Sequence, residues 1–107
     1  MSNSEYVVVF ITTEAGEESA LISKVLLEQR KAACVSIVKD VDSMYWWNDK
    51  IDSASENLLV IKTRAALLEE IIQIVKEIHT NDVPEIIALP IIGGNQDYLD
   101  WVGKETF

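Results

Sequence analysis

Asp82-Val83-Pro84-Glu85-Ile86-Ile87-Ala88-Leu89-Pro90-Ile91-Ile92-Gly93-Gly94-Asn95 holds both prolines of the chain, and they bracket a short apolar run. Proline has no N–H to give a sheet ladder, so it stands where a strand begins, at an edge, or at a bulge. Glu85 to Leu89 therefore reads as a strand punctuated at both ends, released by a turn at Gly93-Gly94-Asn95. Ile86, Ile87, Ala88 and Leu89 follow one another without a polar break, so neither face of this strand is made for water.

The same property recurs in every other strand. Tyr6-Val7-Val8-Val9-Phe10-Ile11-Thr12-Thr13 is β-branched and aromatic with no polar alternation. Glu14-Ala15-Gly16-Glu17-Glu18 then puts acid at a helix start, where the dipole favours it, and Leu21, Ile22, Val25 and Leu26 form the apolar stripe of that helix. Arg30 and Lys31 stand at its far end. Ala32 to Val38 reads as a second strand that continues through Val41 and Met44 into Tyr45-Trp46-Trp47. Asn48-Asp49-Lys50 is the hairpin turn, because Asn and Asp tolerate the backbone angles such turns need. The return strand runs from Ile51 through a polar stretch to Leu58-Leu59-Val60-Ile61-Lys62-Thr63. A second helix spans about 65–79 on Leu68, Ile71, Ile72 and Val75. After the proline-bracketed strand, Asn95 caps a terminal helix over about 96–103.

The order β-α-β-β-α-β plus a terminal helix predicts an α+β, ferredoxin-like fold, with an antiparallel sheet and both main helices on one face. In such a sheet the other face should carry polar residues. Val7 to Ile11, Leu58 to Ile61 and Ile86 to Leu89 are apolar on both. Soluble monomers rarely expose a patch that large, so the chain is expected to be an obligate oligomer.

Composition narrows the function. The 107 residues predict a single domain, residues 1–107, and no apolar run approaches the ~18 residues of a membrane span. One cysteine excludes an intrachain disulfide and fits a reducing compartment. With no signal-peptide pattern at the start, a cytoplasmic location is expected. Against 9 basic side chains stand 18 acidic ones, a net charge of −9, which disfavours nucleic acid and favours cations.

Ala32-Ala33-Cys34-Val35-Ser36-Ile37, Ser43-Met44-Tyr45-Trp46-Trp47, Ile61-Lys62-Thr63, Val83 to Ile91, and Asn95 through Tyr98-Leu99-Asp100-Trp101 together resemble the CutA family of divalent-cation tolerance proteins. The resemblance covers nearly the whole chain in matching order. It implies a ferredoxin-like fold, a homotrimer built like the PII signal proteins, and an association with copper and other divalent cations. Where the family usually carries a Pro-Tyr-Glu-like segment after a histidine, this chain has Thr80-Asn81-Asp82.

The residues offer little chemistry, and each candidate has a plainer reading. Cys34 and His79 are the sole cysteine and histidine. Thiolate and imidazole suit copper or zinc, with Glu85, Asp82 or Glu56 as a carboxylate to complete the set. The plainer readings are a small buried hydrophobe for Cys34 and a cation at a helix end for His79. Tyr45, Trp46 and Trp47 suit either a ligand pocket or a subunit boundary. Glu56 and Lys62 share a strand face by the period of two and are candidate cleft walls, or else a surface pair. A nucleophile–base pairing of Cys34 with His79 is the weaker, enzymatic reading. The expectation is a non-enzymatic homotrimer binding copper or another divalent cation, with metal residues His79, Cys34 and Glu85 and a cleft lined by Tyr45, Trp47, Glu56 and Lys62. The alternative is a PII-like small-ligand sensor or scaffold with incidental metal contact.

Overall fold

A computed structural model describes residues 4–107. The elements are β1 (Tyr6–Glu14), α1 (Glu18–Glu28), β2 (Cys34–Trp47), β3 (Lys50–Arg64), α2 (Leu68–Ile78), β4 (Ile86–Pro90) and α3 (Gln96–Glu105), with one 3-10 turn at Ala65–Leu67 leading into α2. The strands form one sheet in the order β2-β3-β1-β4. Every neighbouring pair is antiparallel. Each crossover through α1 or α2 skips one strand, which is the ferredoxin-like arrangement expected from the element order.

The proline-bracketed strand lies one residue later than its expected span. Pro90 is inside it, opposite Val7, and the next donor, Ile91 N–H, reaches Tyr6 O at 3.0 Å. β4 is a sheet edge, the position where a residue without an N–H is tolerated. At the other end of the chain order, α1 begins only at Glu18, because Gly16 turns the backbone with φ 115°. Arg30 and Lys31 lie past its end, with Arg30 in the left-handed region at φ 60°.

Alternation along the strands divides the sheet into two faces. Val7, Val9, Ile11, Leu59 and Ile61 point to the helices and pack with Ile22, Leu26, Ile71 and Val75 in one core. Ile86 and Ala88 pack against its margin. Their neighbours in sequence point the other way. Val8, Phe10, Leu58 and Val60 are only partly covered, while Val38 (46 %), Ile87 (51 %) and Leu89 (50 %) are exposed. Cross-strand pairing sets Phe10 against both Val60 and Ile87, and Val8 against Leu89, so these side chains make one continuous apolar strip.

The helix α3 covers one end of that open face. Its N-terminus is capped as expected: Asn95 Oδ1 accepts the Asp97 N–H at 3.0 Å. Arg64 donates from Nη2 to Gly103 O at 2.6 Å and from Nε to Gly103 O and Thr106 O, both at 3.2 Å. A Cβ on Gly103 would meet Tyr6 Oη at 2.6 Å and Arg64 Nη2 at 3.1 Å. Gly103→Ala must displace the ends of the Tyr6 and Arg64 side chains, while Ala gains about 1 kcal/mol over Gly inside a helix, so the net change is expected to stay within about 1 kcal/mol, read from the urea midpoint at an unchanged slope.

Candidate functional site

The two long strands β2 and β3 outrun β1, whose last partner on β3 is Glu56 across from Glu14. Beyond that point they continue as a two-stranded hairpin. Asn48 and Asp49 close it with φ of 51° and 62°, the left-handed pair a two-residue type I′ turn requires, and Lys50 already belongs to β3. A bulge interrupts the pairing. Val38 faces Leu58 and Val41 faces Glu56, so β2 spends one more residue than β3 over the same length. Asp40 turns within it at φ 60°, and its N–H points to Asn57 Oδ1 at 3.4 Å. The extra residue inverts the alternation of β2. Cys34, Ser36 and Val38 lie on the open face before the bulge, and Val41, Ser43, Tyr45 and Trp47 lie there after it.

The segment between α2 and β4 approaches this hairpin and is held by polar contacts at the end of β1. His79, the residue that ends α2, is completely buried in its side chain. Its Nε2 lies 2.8 Å from Thr12 O, and its Nδ1 accepts the Asn81 N–H at 3.0 Å. The Glu18 carboxylate accepts Thr80 N–H at 2.9 Å and Glu14 N–H at 3.4 Å, and stands 3.7 Å from His79 Nε2. Glu18 is thus nearly buried and bonded, not a solvated helix start. Nothing in its acidic neighbourhood, Glu14 and Glu17, distinguishes it in the sequence.

Between hairpin and segment lies a groove of about 770 Å³. The hairpin contributes Tyr45, Trp46, Trp47, Asp52 and Glu56, and the opposite wall is Thr80 to Val83 with Glu85. Four carboxylates line it with no lysine, arginine or histidine among the lining residues. Trp46 (72 %) and Trp47 (53 %) are exposed, far more than a core indole would be.

The expected site residues divide into three places. Tyr45, Trp47, Glu56 and Glu85 line the groove. Lys62 does not. It shares a face with Glu56 as alternation requires, but six residues of strand put them about 20 Å apart. Lys62 Nζ instead bonds Ser36 Oγ at 3.2 Å. Cys34 pairs across from Lys62, at the end of the sheet that α3 covers. Burial there, and then the Cys34 thiol beside it, push the Tyr98 phenol above its ordinary range. His79 sits behind the groove wall with both ring nitrogens occupied. A site in one chain made of Cys34, His79 and Glu85 is therefore not formed, and among the described residues no three His, Cys, Asp or Glu side chains converge on a point fit for a metal ion. Cys34 and His79 likewise do not meet as nucleophile and base. The first is level with Val8 and the second with Thr12, about 13 Å further along the sheet.

A family model described as CutA1 divalent ion tolerance protein matches residues 7–105. The chain belongs to the CutA1 family. Among curated relatives, the CutA protein of Thermus thermophilus, named a divalent-cation tolerance protein, is 42% identical over 99 residues, covering 92% of this chain and 96% of its own. The chloroplastic CutA 1 of rice is 43% identical over 100 residues, 94% of this chain and 56% of the relative. The chain spans about half the length of that protein and of its Arabidopsis counterpart. Solved CutA1 structures have the same fold. The rice protein superposes with a TM-score of 0.94 at 41% identity over 99% of this chain and 98% of its own, and the Thermus protein with 0.93 at 41% over 95% and 99%. As in the sequence reading, the CutA1 resemblance thus extends along nearly the whole chain. No helix among the described residues is long and apolar enough to cross a membrane.

Proposed function

We propose that this CutA1-family chain works as a homotrimer that binds divalent cations, copper among them, at clefts between its subunits and so contributes to cation tolerance. The observation that carries this reading is the uncovered apolar strip of Val8, Phe10, Leu58, Val60, Ile87 and Leu89, a face that other copies of the chain would cover. Asp52, Glu56, Asp82 and Glu85 give the groove the charge a cation needs. Carboxylate oxygens alone suit hard, water-retaining ions. Preference for copper requires nitrogen or sulfur, which in this reading must come from a neighbouring subunit or from rearrangement around Cys34 or His79. The family names describe tolerance proteins, and a non-enzymatic role is part of the proposal. So is a cytoplasmic location, which rests on the single cysteine.

The decisive experiment is isothermal titration of the metal-stripped protein with copper(II), zinc and small metabolites, repeated on Glu85→Gln. Saturable copper binding weakened at least several-fold by the substitution supports the reading. Absence of any divalent-cation binding overturns it. The dispersal of the donors favours a second reading, a PII-like sensor or scaffold trimer in which metal contact is incidental, and that reading expects a metabolite to bind where metals do not.

The hairpin aromatics are proposed as anchors of the assembly. Trp47→Ala is expected to weaken association by about 2 kcal/mol or more, the scale of an interface hot spot, measured by sedimentation over a dilution series. Unchanged assembly would return Trp47 to the groove alone.

A further inference from the structure

β2 and β3 pair in two stretches that are out of step by one residue. On the core side Cys34 faces Lys62 and Val38 faces Leu58, while on the hairpin side Val41 faces Glu56 and Trp47 faces Lys50. The sheet holds the first stretch, and the turn at Asn48-Asp49 holds the second. One residue of β2 is therefore left over, and it is left at Asp40, where φ is 60°. Across from it, between Glu56 and Leu58, stands Asn57, buried on the helix side of the sheet. Its Oδ1 accepts the Asp40 N–H at 3.4 Å, and its Nδ2 donates to Ser19 Oγ at 3.1 Å. The Ser19 hydroxyl donates in turn to Gly16 O at 3.3 Å. A backbone N–H only donates and a carbonyl only accepts, so this chain of bonds runs in one direction and fixes which way the amide points. Asn57 thus ties the bulge of β2 to the start of α1.

We propose that Asn57 is a positioning residue: it holds the extra residue of β2 at Asp40 and so sets the hairpin register that presents Tyr45 and Trp47 to the groove. The competing register is sterically open. Carrying the core-side pairing through to the tip would set Asp40 against Glu56, Met44 against Asp52 and Trp46 against Lys50. The turn would lengthen to Trp47-Asn48-Asp49, and hairpin loops of three residues end on a left-handed residue, which Asp49 already is at φ 62°. Side chains alternate along a strand, so this slip would turn Tyr45 and Trp47 off the face of Glu56 and put Met44 and Trp46 in their place. The like charges of Asp40 and Glu56 would resist it. The Asn57 amide resists it more directly, because its oxygen has the Asp40 N–H as partner only while the bulge stands there. The consequence for binding rests on the groove being the ligand site proposed above, whereas the register rests on the geometry alone.

The test is Asn57→Leu in the full chain, with the register read from cross-strand proton contacts in nuclear magnetic resonance spectra. Leucine keeps the volume of the side chain and removes both polar bonds. The unaltered protein should show Tyr45 against Asp52 and Ser43 against Ala54, in one set of signals. In Asn57→Leu a second set should appear, with Met44 against Asp52 and Asp42 against Ala54, the ratio of slipped to native register rising at least about tenfold. Asn57→Asp keeps an oxygen for the Asp40 N–H and lets the other accept the Ser19 hydroxyl. It should lower the urea midpoint, because it buries a charge, and still show the native register alone. That split separates positioning from mere support of the fold. Native pairing alone in Asn57→Leu overturns the proposal, as does a slip of equal size in Asn57→Asp. Should Asn57→Leu not fold, Asn57→Ser, whose hydroxyl is too short to reach Asp40, carries the same expectation and the same refutation. A hairpin that slips as described in a protein that binds no divalent cation leaves this inference standing and removes only the metal function.

Discussion

Val60→Asp is expected to convert an assembly of three chains into monomers. Val60 stands in the middle of the open face, paired with Phe10 on one side and Ser36 on the other. It makes no part of the core between sheet and helices. A carboxylate there is tolerated by an isolated chain, because the face is open to water. In the proposed trimer three such carboxylates would be buried without partners, each costing several kcal/mol. Sedimentation equilibrium should therefore shift from three times the 12.0 kDa chain mass to one, with far-ultraviolet circular dichroism retained. The unaltered protein sedimenting as a folded monomer at micromolar concentration would remove both the trimer and the reason for the apolar face. An assembled Val60→Asp would show that other surfaces hold the subunits.

His79→Ala is expected to act first on stability. Read as a residue at a helix end, His79 should be dispensable to the fold and needed only for metal. The structure reverses that order. Truncation empties a fully buried position, leaves the Thr12 carbonyl without its ring partner, and removes the acceptor of the Asn81 N–H. The expected cost is about 2 kcal/mol or more in urea unfolding, made of lost packing and unsatisfied polar groups. Copper affinity per folded molecule is the companion measurement. A large loss of copper binding with unchanged stability would restore His79 as a ligand and refute the buried placement. The opposite pattern, reduced stability with affinity kept, confirms that its nitrogens serve the wall.

The division between what the sequence determined and what waited for the tertiary structure follows from range. Strands, helices and the turn at Asn48-Asp49 were legible because each depends on neighbours within a few residues: the left-handed angles Asn and Asp accept, the cap at Asn95, the missing N–H of Pro84 and Pro90. The ferredoxin-like order followed from counting those elements, and the doubly apolar strands of β1, β3 and β4 already implied a covered sheet. Glu56 and Lys62 show where that reasoning stops. A period of two assigns a face correctly but says nothing of a separation that only the sheet's length reveals. The bulge between Val38 and Val41 leaves no mark in composition, yet it decides that Tyr45 and Trp47 share a face with Glu56. Glu18 looked like two other glutamates beside it until a chain segment about sixty residues further on arrived to bond it. By itself, then, the sequence determined the elements, their order and the apolar character of both sheet faces. Only the tertiary structure decided which polar groups meet, because hydrogen-bond partners such as His79 with Thr12 and Glu18 with Thr80 lie far apart in the chain and are chosen by folding.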